Sequence, residues 1–440
     1  MTATPSASTG AFKERREEFM KGIQGGAALF ASAPTAVRNM DVEFEYRQDS
    51  DLYYLTGFEE PSCLAVLVPD HPQHRFVMFV QPRDDSAEVW TGKRAGVEGA
   101  ISDYGADAAF TIDKLDQELP GLLAKADRIY YRFGANSDAD SRVVRLMRYF
   151  QRERQRKGAG PAAVIDPAGL LHEARLVKSA SELETLRRAV DITCKGHAAA
   201  RSVIKPGVYE YEIDAELRYV YAKYGSPRHA FPPIVASGVN STTLHYTSNR
   251  RQLQKGELLL IDSGAEYGYF AGDVTRTYPA DGVFSKEQAE LYELVLAAEE
   301  AGIEAVRPGA RFVDPHNRAV QILTEGLVRL GLLKGEVSSL IEKEEFKRFY
   351  MHRTSHWLGM DVHDVGMYTI GDESRKLEPG MVLTIEPGLY VSAYDQQVEP
   401  RYRGIGIRIE DDVLVTADGR DVLSSGLPRA ISDIERTMRV

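Results

Sequence analysis

Apolar and polar residues alternate in short bursts through the first third of the chain. Runs such as Ala27–Phe30, Cys63–Val68 and Phe76–Val80 are separated by Pro, Gly and Asp turns and by stretches of helix-forming composition, beginning with residues 11–23. Short apolar strands interleaved with helices predict an α/β domain. A long helix is expected around Asp138–Arg156, and the Gly158-Ala-Gly-Pro161 breaker behind it reads as a linker. The first domain, residues 1–175, should end near Arg175.

The pattern then changes. Ser179 precedes Glu182 by three positions, a capping-box signature, and Leu183, Leu186, Val190 and Cys194 follow on one helical face. Beyond that helix, strand-like segments concentrate at Leu258–Asp262, Gly272–Tyr278, Met381–Glu386 and Gly404–Leu414. Turn-linked strands predict a largely antiparallel α+β sheet for the second domain, residues 176–440. No internal repeat of about 20–50 residues is visible.

Composition narrows the function classes. The 440 residues exceed what one hydrophobic core usually organises. With 43% hydrophobic and 27% charged residues, no apolar run approaches the roughly 20 residues that span a bilayer, so no membrane partner is expected. The opening MTATPSASTG lacks both the basic and the apolar region of a signal peptide; it reads as a frayed start and implies a cytoplasmic location. A formal net charge of −11 argues against a nucleic-acid partner, and the basic run Arg152–Lys157 reads as a solvated helix end. Cys63 and Cys194 are too few for a disulfide framework or a thiolate metal site and are expected to be inert thiols.

The candidate chemistry lies in carboxylates and histidines. The apolar run Leu258-Leu-Leu-Ile-Asp262 ends in an acid, and Asp273 opens Asp-Val-Thr-Arg-Thr-Tyr278. A symmetric reversal about Tyr267-Gly268 predicts residues 262 and 273 directly opposite, with Cβ atoms about 5 Å apart. Like charges so close need a cation between them or one protonated acid; the alternative is a solvated hairpin. Glu386 likewise ends Val-Leu-Thr-Ile-Glu before Pro387-Gly388 stops the strand. In Gly404-Ile-Gly-Ile-Arg-Ile-Glu410, strict alternation puts Arg408 and Glu410 on one face. There Gly404 and Gly406 leave room for something to approach, unless the face is simply exposed.

Three of the ten histidines, His352, His356 and His363, fall within twelve residues, with Trp357, Leu358 and Met360 between them. That is not surface composition, although some of the three could be structural. His245, just before the first acidic strand, is a further candidate. Four acids and an imidazole cannot be buried together without compensating positive charge, which two divalent cations would supply. Carboxylate and imidazole donors suit Mn²⁺ first, with Co²⁺, Fe²⁺ or Zn²⁺ as alternatives. Paired ions about 3.5–4 Å apart share a water, lower its pKa and stabilise a tetrahedral oxyanion, which is hydrolysis chemistry.

These segments, in this order, resemble the pita-bread metallopeptidases, and among them the bacterial aminopeptidase P group. The resemblance rests on Ser237-Gly-Val-Asn240, Leu-His245-Tyr-Thr, Ile261-Asp-Ser-Gly, Gly272-Asp-Val-Thr-Arg-Thr, Ser355-His-Trp-Leu-Gly, Asp361-Val-His-Asp-Val-Gly366, Leu377–Gly388 and Gly404–Asp411. In the first domain it rests on Tyr46–Pro61 and Glu88-Val-Trp-Thr-Gly-Lys93. It implies a creatinase-like N-terminal domain, a pita-bread catalytic domain with a curved sheet, and removal of the first residue from peptides with proline second. The attacking species would be a hydroxide bridging two metals. The nearest alternative is a prolidase, restricted to Xaa-Pro dipeptides, and a remoter one a metal-free binding protein on the same fold.

The resemblance further implies that Asp262, Asp273, His356, Glu386 and Glu410 are metal ligands, with Asp273 and Glu410 bridging. Glu386 would be the acid/base partner, His245 and His363 would hold the substrate backbone or assist proton transfer, His352 would line the site, and Arg408 would organise the acids. Trp90 and Tyr390 match positions near the substrate, Trp90 reaching a neighbouring subunit of a homo-oligomer, dimer or tetramer. Phe231, ahead of Pro232-Pro233, is a candidate wall for the first substrate residue, or ordinary core. Arg353 departs from the pattern, standing where these enzymes usually have Gly; it would shift its loop or project into the substrate channel.

Overall fold

The helix expected over residues 11–23 runs Thr9–Gly22, and the apolar bursts behind it become strands. The computed structural model describes residues 9–438, so the expectation for positions 1–8 lies outside the described residues. The chain divides into two compact units, Met1–Ala174 and Arg175–Val440.

In the first unit a six-stranded sheet takes the order Ala108–Thr111, Phe76–Val80, Leu64–Leu67, Ala27–Ala31, Arg128–Tyr130, Ala163–Ile165. Leu64–Leu67 is antiparallel to both neighbours and the other pairings are parallel. Strands covered on both faces need continuous apolar runs, and Val66, Val77, Phe79 and Ile129 are fully buried. The α/β expectation holds. Asn136 caps the helix Ser137–Lys157 by accepting the N–H groups of Asp138 and Ala139, and left-handed Gly158 ends it. The chain then forms the edge strand Ala163–Ile165, so Gly158–Pro161 is a helix stop inside the first unit and not a linker. Both cysteines are free, and burial pushes both thiols upward, Cys194 to about 12.

The second unit is α+β, and all its strand pairings are antiparallel. Its first helix, Ala180–Val203, starts on the expected capping box, with Ser179 N donating to the Glu182 carboxylate at 2.7 Å. Ile192, Leu217, Leu259, Ile261, Leu291, Leu323, Ile407 and Ile409 share one core, which joins the helices to the sheets.

Two sequence readings of this unit need correction. Leu258–Ser263 pairs with Val274–Pro279 so that Asp262 lies opposite Thr275, two residues from the expected register. The reversal is centred one position later, because Tyr267 pairs with Phe270 and left-handed Gly268 and Tyr269 make the turn. Parity is preserved, so Asp262 and Asp273 stay on one face as diagonal neighbours rather than an opposed pair. Gly264 makes the crossing possible: a Cβ there would lie 1.7 Å from the Gly272 carbonyl oxygen.

The run Gly404–Leu414 is likewise two strands, not one. Gly406–Arg408 pairs with Gly388–Tyr390, so Gly388 starts a strand instead of only ending one, whereas Asp411–Val415 pairs with Val382–Ile385. The space over Gly406 is filled by the protein itself, since a Cβ would meet the Ser241 carbonyl oxygen at 2.0 Å.

Candidate active site

Apolar strand ends deliver the acids. Asp262 closes in on the cavity from Leu258–Ser263, Asp273 immediately precedes Val274–Pro279, and Glu386 immediately follows Val382–Ile385. Glu410 sits at the changeover between the two sheets, in an isolated bridge to Thr275. His356 is fastened beside Thr384 by two bonds: its N–H donates to the threonine hydroxyl at 3.2 Å, and its carbonyl accepts the Thr384 N–H at 3.0 Å.

Ligand atoms of Asp273, His356 and Glu410 lie within 4.8 Å of one another. His356 Nδ1 faces the Trp357 carbonyl oxygen at 3.0 Å and must donate to it, which leaves a lone pair on Nε2. That lone pair points at carboxylate oxygens of Asp273, 3.3 Å away, and Glu386, 3.6 Å away. Oδ1 of Asp262 and Oδ1 of Asp273 are buried with no hydrogen-bond partner among the described residues. Acceptors facing acceptors repel unless a cation lies among them, so this donor set fits divalent metal.

The electrostatics say the same. Burial, then repulsion from neighbouring carboxylates, drives the Asp273 and Glu410 carboxyls well above the usual range. Burial pushes Glu386 up to about 7, against the pull of His356 and Arg408.

Arg408 is buried and fully committed. It donates to Asp262 at 2.5 Å, to the Thr275 hydroxyl at 3.2 Å and to the Tyr390 hydroxyl at 2.9 Å. Tyr390 in turn donates to His352 Nε2 at 2.9 Å, because His352 Nδ1 is occupied in donating to the Arg353 carbonyl at 2.8 Å. Burial lowers His352 to about 3, so its ring is neutral at pH 7.

A cavity of about 640 Å³ opens over this cluster, lined by the five ligand candidates, His245, His352, His363, Arg408, Phe231 and Arg353. His245 and His363 are exposed at it, the His363 ring 4.3 Å from that of His356. Tyr390 is buried behind the wall, where it positions Arg408 and His352. Trp90 belongs to the first unit, on the helix Asp85–Thr91, and is 87% exposed. Arg353 keeps an ordinary backbone, since the positive-φ non-glycine residues among those described lie elsewhere.

Sequence reasoning missed the supports. Thr275 donates its hydroxyl to Glu410 Oε2 at 2.6 Å. Buried Arg276 donates to the carbonyls of Thr275, Glu410, Leu427 and Pro428 and to Asp411, while Asp412 accepts the Asp273 N–H at 3.1 Å. The alternation of Asp273, Thr275 and Thr277 was a signal for the first of these. Arg276, on the opposite face of that strand, carried none.

Comparisons agree with this geometry. Residues 184–417 match the family model described as metallopeptidase family M24, and residues 12–130 that of the aminopeptidase P N-terminal domain. The Xaa-Pro aminopeptidase of Escherichia coli strain K12 is 41% identical over 97% of each chain. That of Haemophilus influenzae is 39% identical over 97% of this chain and 96% of its own. Among solved structures, Pseudomonas aeruginosa aminopeptidase PepP is similar with a TM-score of 0.96 and 45% identity, covering 98% of both chains. Escherichia coli aminopeptidase P with the inhibitor Pro-Leu is similar with a TM-score of 0.94 and 41% identity, covering 99% of both.

Proposed function

Because the chain belongs to metallopeptidase family M24, we propose that its cavity holds two divalent metal ions on Asp262, Asp273, His356, Glu386 and Glu410. The chain is an Xaa-Pro aminopeptidase, a hydrolase that releases the first residue from peptides whose second residue is proline. One observation carries the metal assignment: the His356 Nε2 lone pair faces Asp273 and Glu386 beside oxygens of Asp262 and Asp273 that have no hydrogen-bond partner among the described residues. When bound, the ions supply an electrophile for the scissile carbonyl and acidify the attacking water. Mn²⁺ would be the working ion, in keeping with four carboxylates and one imidazole, and Asp273 and Glu410 would hold it together with the other three ligands.

The chain's own residues do the rest. The cavity receives the free amino terminus at its metal-ligand cluster, which orients the first residue inward. Glu386, which lines the cavity, takes the proton of the attacking water and returns it to the proline nitrogen. His245 and His363 hold the substrate backbone at the cavity, and Phe231 with Leu244 forms an apolar wall for the first side chain. Neutral His352 holds the bond chain from Arg408 through Tyr390 in register. Proline has no N–H to satisfy, so a site that provides no acceptor there tolerates it without loss.

The enzyme works as a homo-oligomer, dimer or tetramer, with Trp90 reaching a neighbouring subunit. In support, the first unit exposes Met40 at 92%, Val89 at 82% and Trp90 at 87%. We assign it to the cytoplasm, since two unpaired thiols suit a reducing compartment. No described helix is long and apolar enough to cross a membrane. A net charge of −11 disfavours nucleic acid.

The test is hydrolysis of Xaa-Pro-Yaa peptides and Xaa-Pro dipeptides by metal-stripped protein reconstituted with Mn²⁺, Co²⁺, Fe²⁺ or Zn²⁺. We expect two bound equivalents, Mn²⁺ best, and tripeptides cleaved. Full activity after metal removal would defeat the assignment.

A further inference from the structure

The cavity carries two guanidinium groups, and only Arg408 is already committed, to Asp262, Thr275 and Tyr390. Arg353 lines the same cavity and is exposed. Among the described residues, no hydrogen bond or ion pair engages its guanidinium; only its backbone carbonyl is used, by His352 Nδ1. An uncommitted cation in a cavity otherwise rich in carboxylates is a recognition element in want of an anion.

Its backbone is pinned on both sides. The preceding His352 is held by the Tyr390 hydroxyl at 2.9 Å, and the following Thr354 is buried, with its hydroxyl 2.9 Å from His316 Nδ1 and 2.5 Å from the Tyr350 hydroxyl. A fixed backbone beneath a free side chain keeps the charge at one part of the cavity. Its field is felt by Tyr368, another lining residue, and by His316, which burial and then Arg353 bring down to about 4.

The cavity therefore has two distinct parts, the metal-ligand cluster and a free cation on its exposed lining. A short peptide whose amino terminus lies at the ligand cluster carries its carboxylate away from that cluster. Proline and one further residue extend a bound peptide by at most about 7 Å beyond the scissile bond, and an arginine side chain covers a similar reach. We infer that Arg353 is a specificity-determining residue that binds a carboxylate on the leaving part of the substrate. That group is the C-terminal carboxylate of a short peptide or the acidic side chain of the residue after proline. The inference rests on the aminopeptidase reading, which places the amino terminus at the metal-ligand cluster.

The experiment compares kcat and KM of Mn²⁺-loaded wild type and Arg353→Gln on Xaa-Pro-Ala as free acid and as amide. A second pair, Xaa-Pro-Glu amide and Xaa-Pro-Gln amide, reads the side-chain source. We expect wild type to favour one or both carboxylate-bearing members roughly three- to tenfold, the effect to lie in KM, and 0.5 M salt to weaken it. Arg353→Gln should abolish the preference. Loss of only the first preference identifies the C-terminal carboxylate, and loss of only the second the side chain. Equal ratios in wild type and variant, or no preference in wild type, would overturn the inference. Wild-type cleavage of the amides tests the aminopeptidase reading separately, and competition by Pro-Ala against its amide reads the same charge through binding.

Discussion

Thr275 and Glu410 are joined twice. The Thr275 hydroxyl donates to Glu410 Oε2 at 2.6 Å, and the Thr275 carbonyl accepts the Glu410 N–H at 3.1 Å. The hydroxyl also accepts from Arg408 Nε, so one side chain sets the rotamers of a proposed metal ligand and its neighbouring cation. Supports of this kind orient the ligands and tune metal affinity.

Thr275→Val keeps the shape and the backbone bonds but removes the hydroxyl. We expect Mn²⁺ affinity to fall about 10- to 100-fold with the fold intact. Titration of the metal-free protein against activity and by calorimetry reads this, and an unchanged affinity would show that Glu410 is positioned by its backbone alone.

Asp273→Asn removes one carboxylate from a cluster of facing carboxylate oxygens. The metal-free variant should melt at or above the wild-type temperature, whereas the rise in Tm that Mn²⁺ gives to wild type should largely disappear, together with activity. Thermal scans with and without metal separate the two effects. A full Mn²⁺ stabilisation in the variant would remove Asp273 from the ligand set.

Gly264→Ala places a methyl 1.7 Å from the Gly272 carbonyl oxygen. Backbone cannot yield cheaply there, so destabilisation of about 3 kcal/mol or more is expected, measurable by urea unfolding. A loss below about 1 kcal/mol would mean that the two strands can part without consequence.

His197 is buried, donates Nε2–H toward the Ser263 carbonyl at 3.4 Å, and is lowered to about 3 by burial first and Arg276 second. The unfolded chain takes up this proton near pH 6.5 and the native fold does not until about pH 3, so stability falls as pH drops through that window. The slope is about 1.4 kcal/mol per pH unit for one such histidine. His197→Gln, which retains the donor, should be less stable at pH 7 but show a shallower loss by pH 5. Parallel urea titrations at the two pH values decide it.

The boundary between what was legible in the sequence and what was not follows interaction range. The α/β and α+β characters, the helix Ala180–Val203 with its cap, and the strands ending in Asp262 and Glu386 were legible because periodicity, caps and apolar runs are local. The four acids stood out because carboxylates on apolar strands contradict their surroundings, whereas only the resemblance singled out His356 among the clustered histidines. Register was not legible: a turn centred one position later moves Asp262 from Asp273 to Thr275, and Tyr269 at positive φ leaves no reliable trace in residue type. Nor was the purpose of Gly406, whose empty face is taken by Ser241, a segment 165 positions away. The sequence by itself thus determined the chemistry, since the carboxylates and imidazoles must meet a cation or stay apart. Only the tertiary structure decided which acceptors face each other, that Arg408 is consumed by Asp262 and Tyr390, and that Arg353 is left free, because distances across strands are set by packing and register.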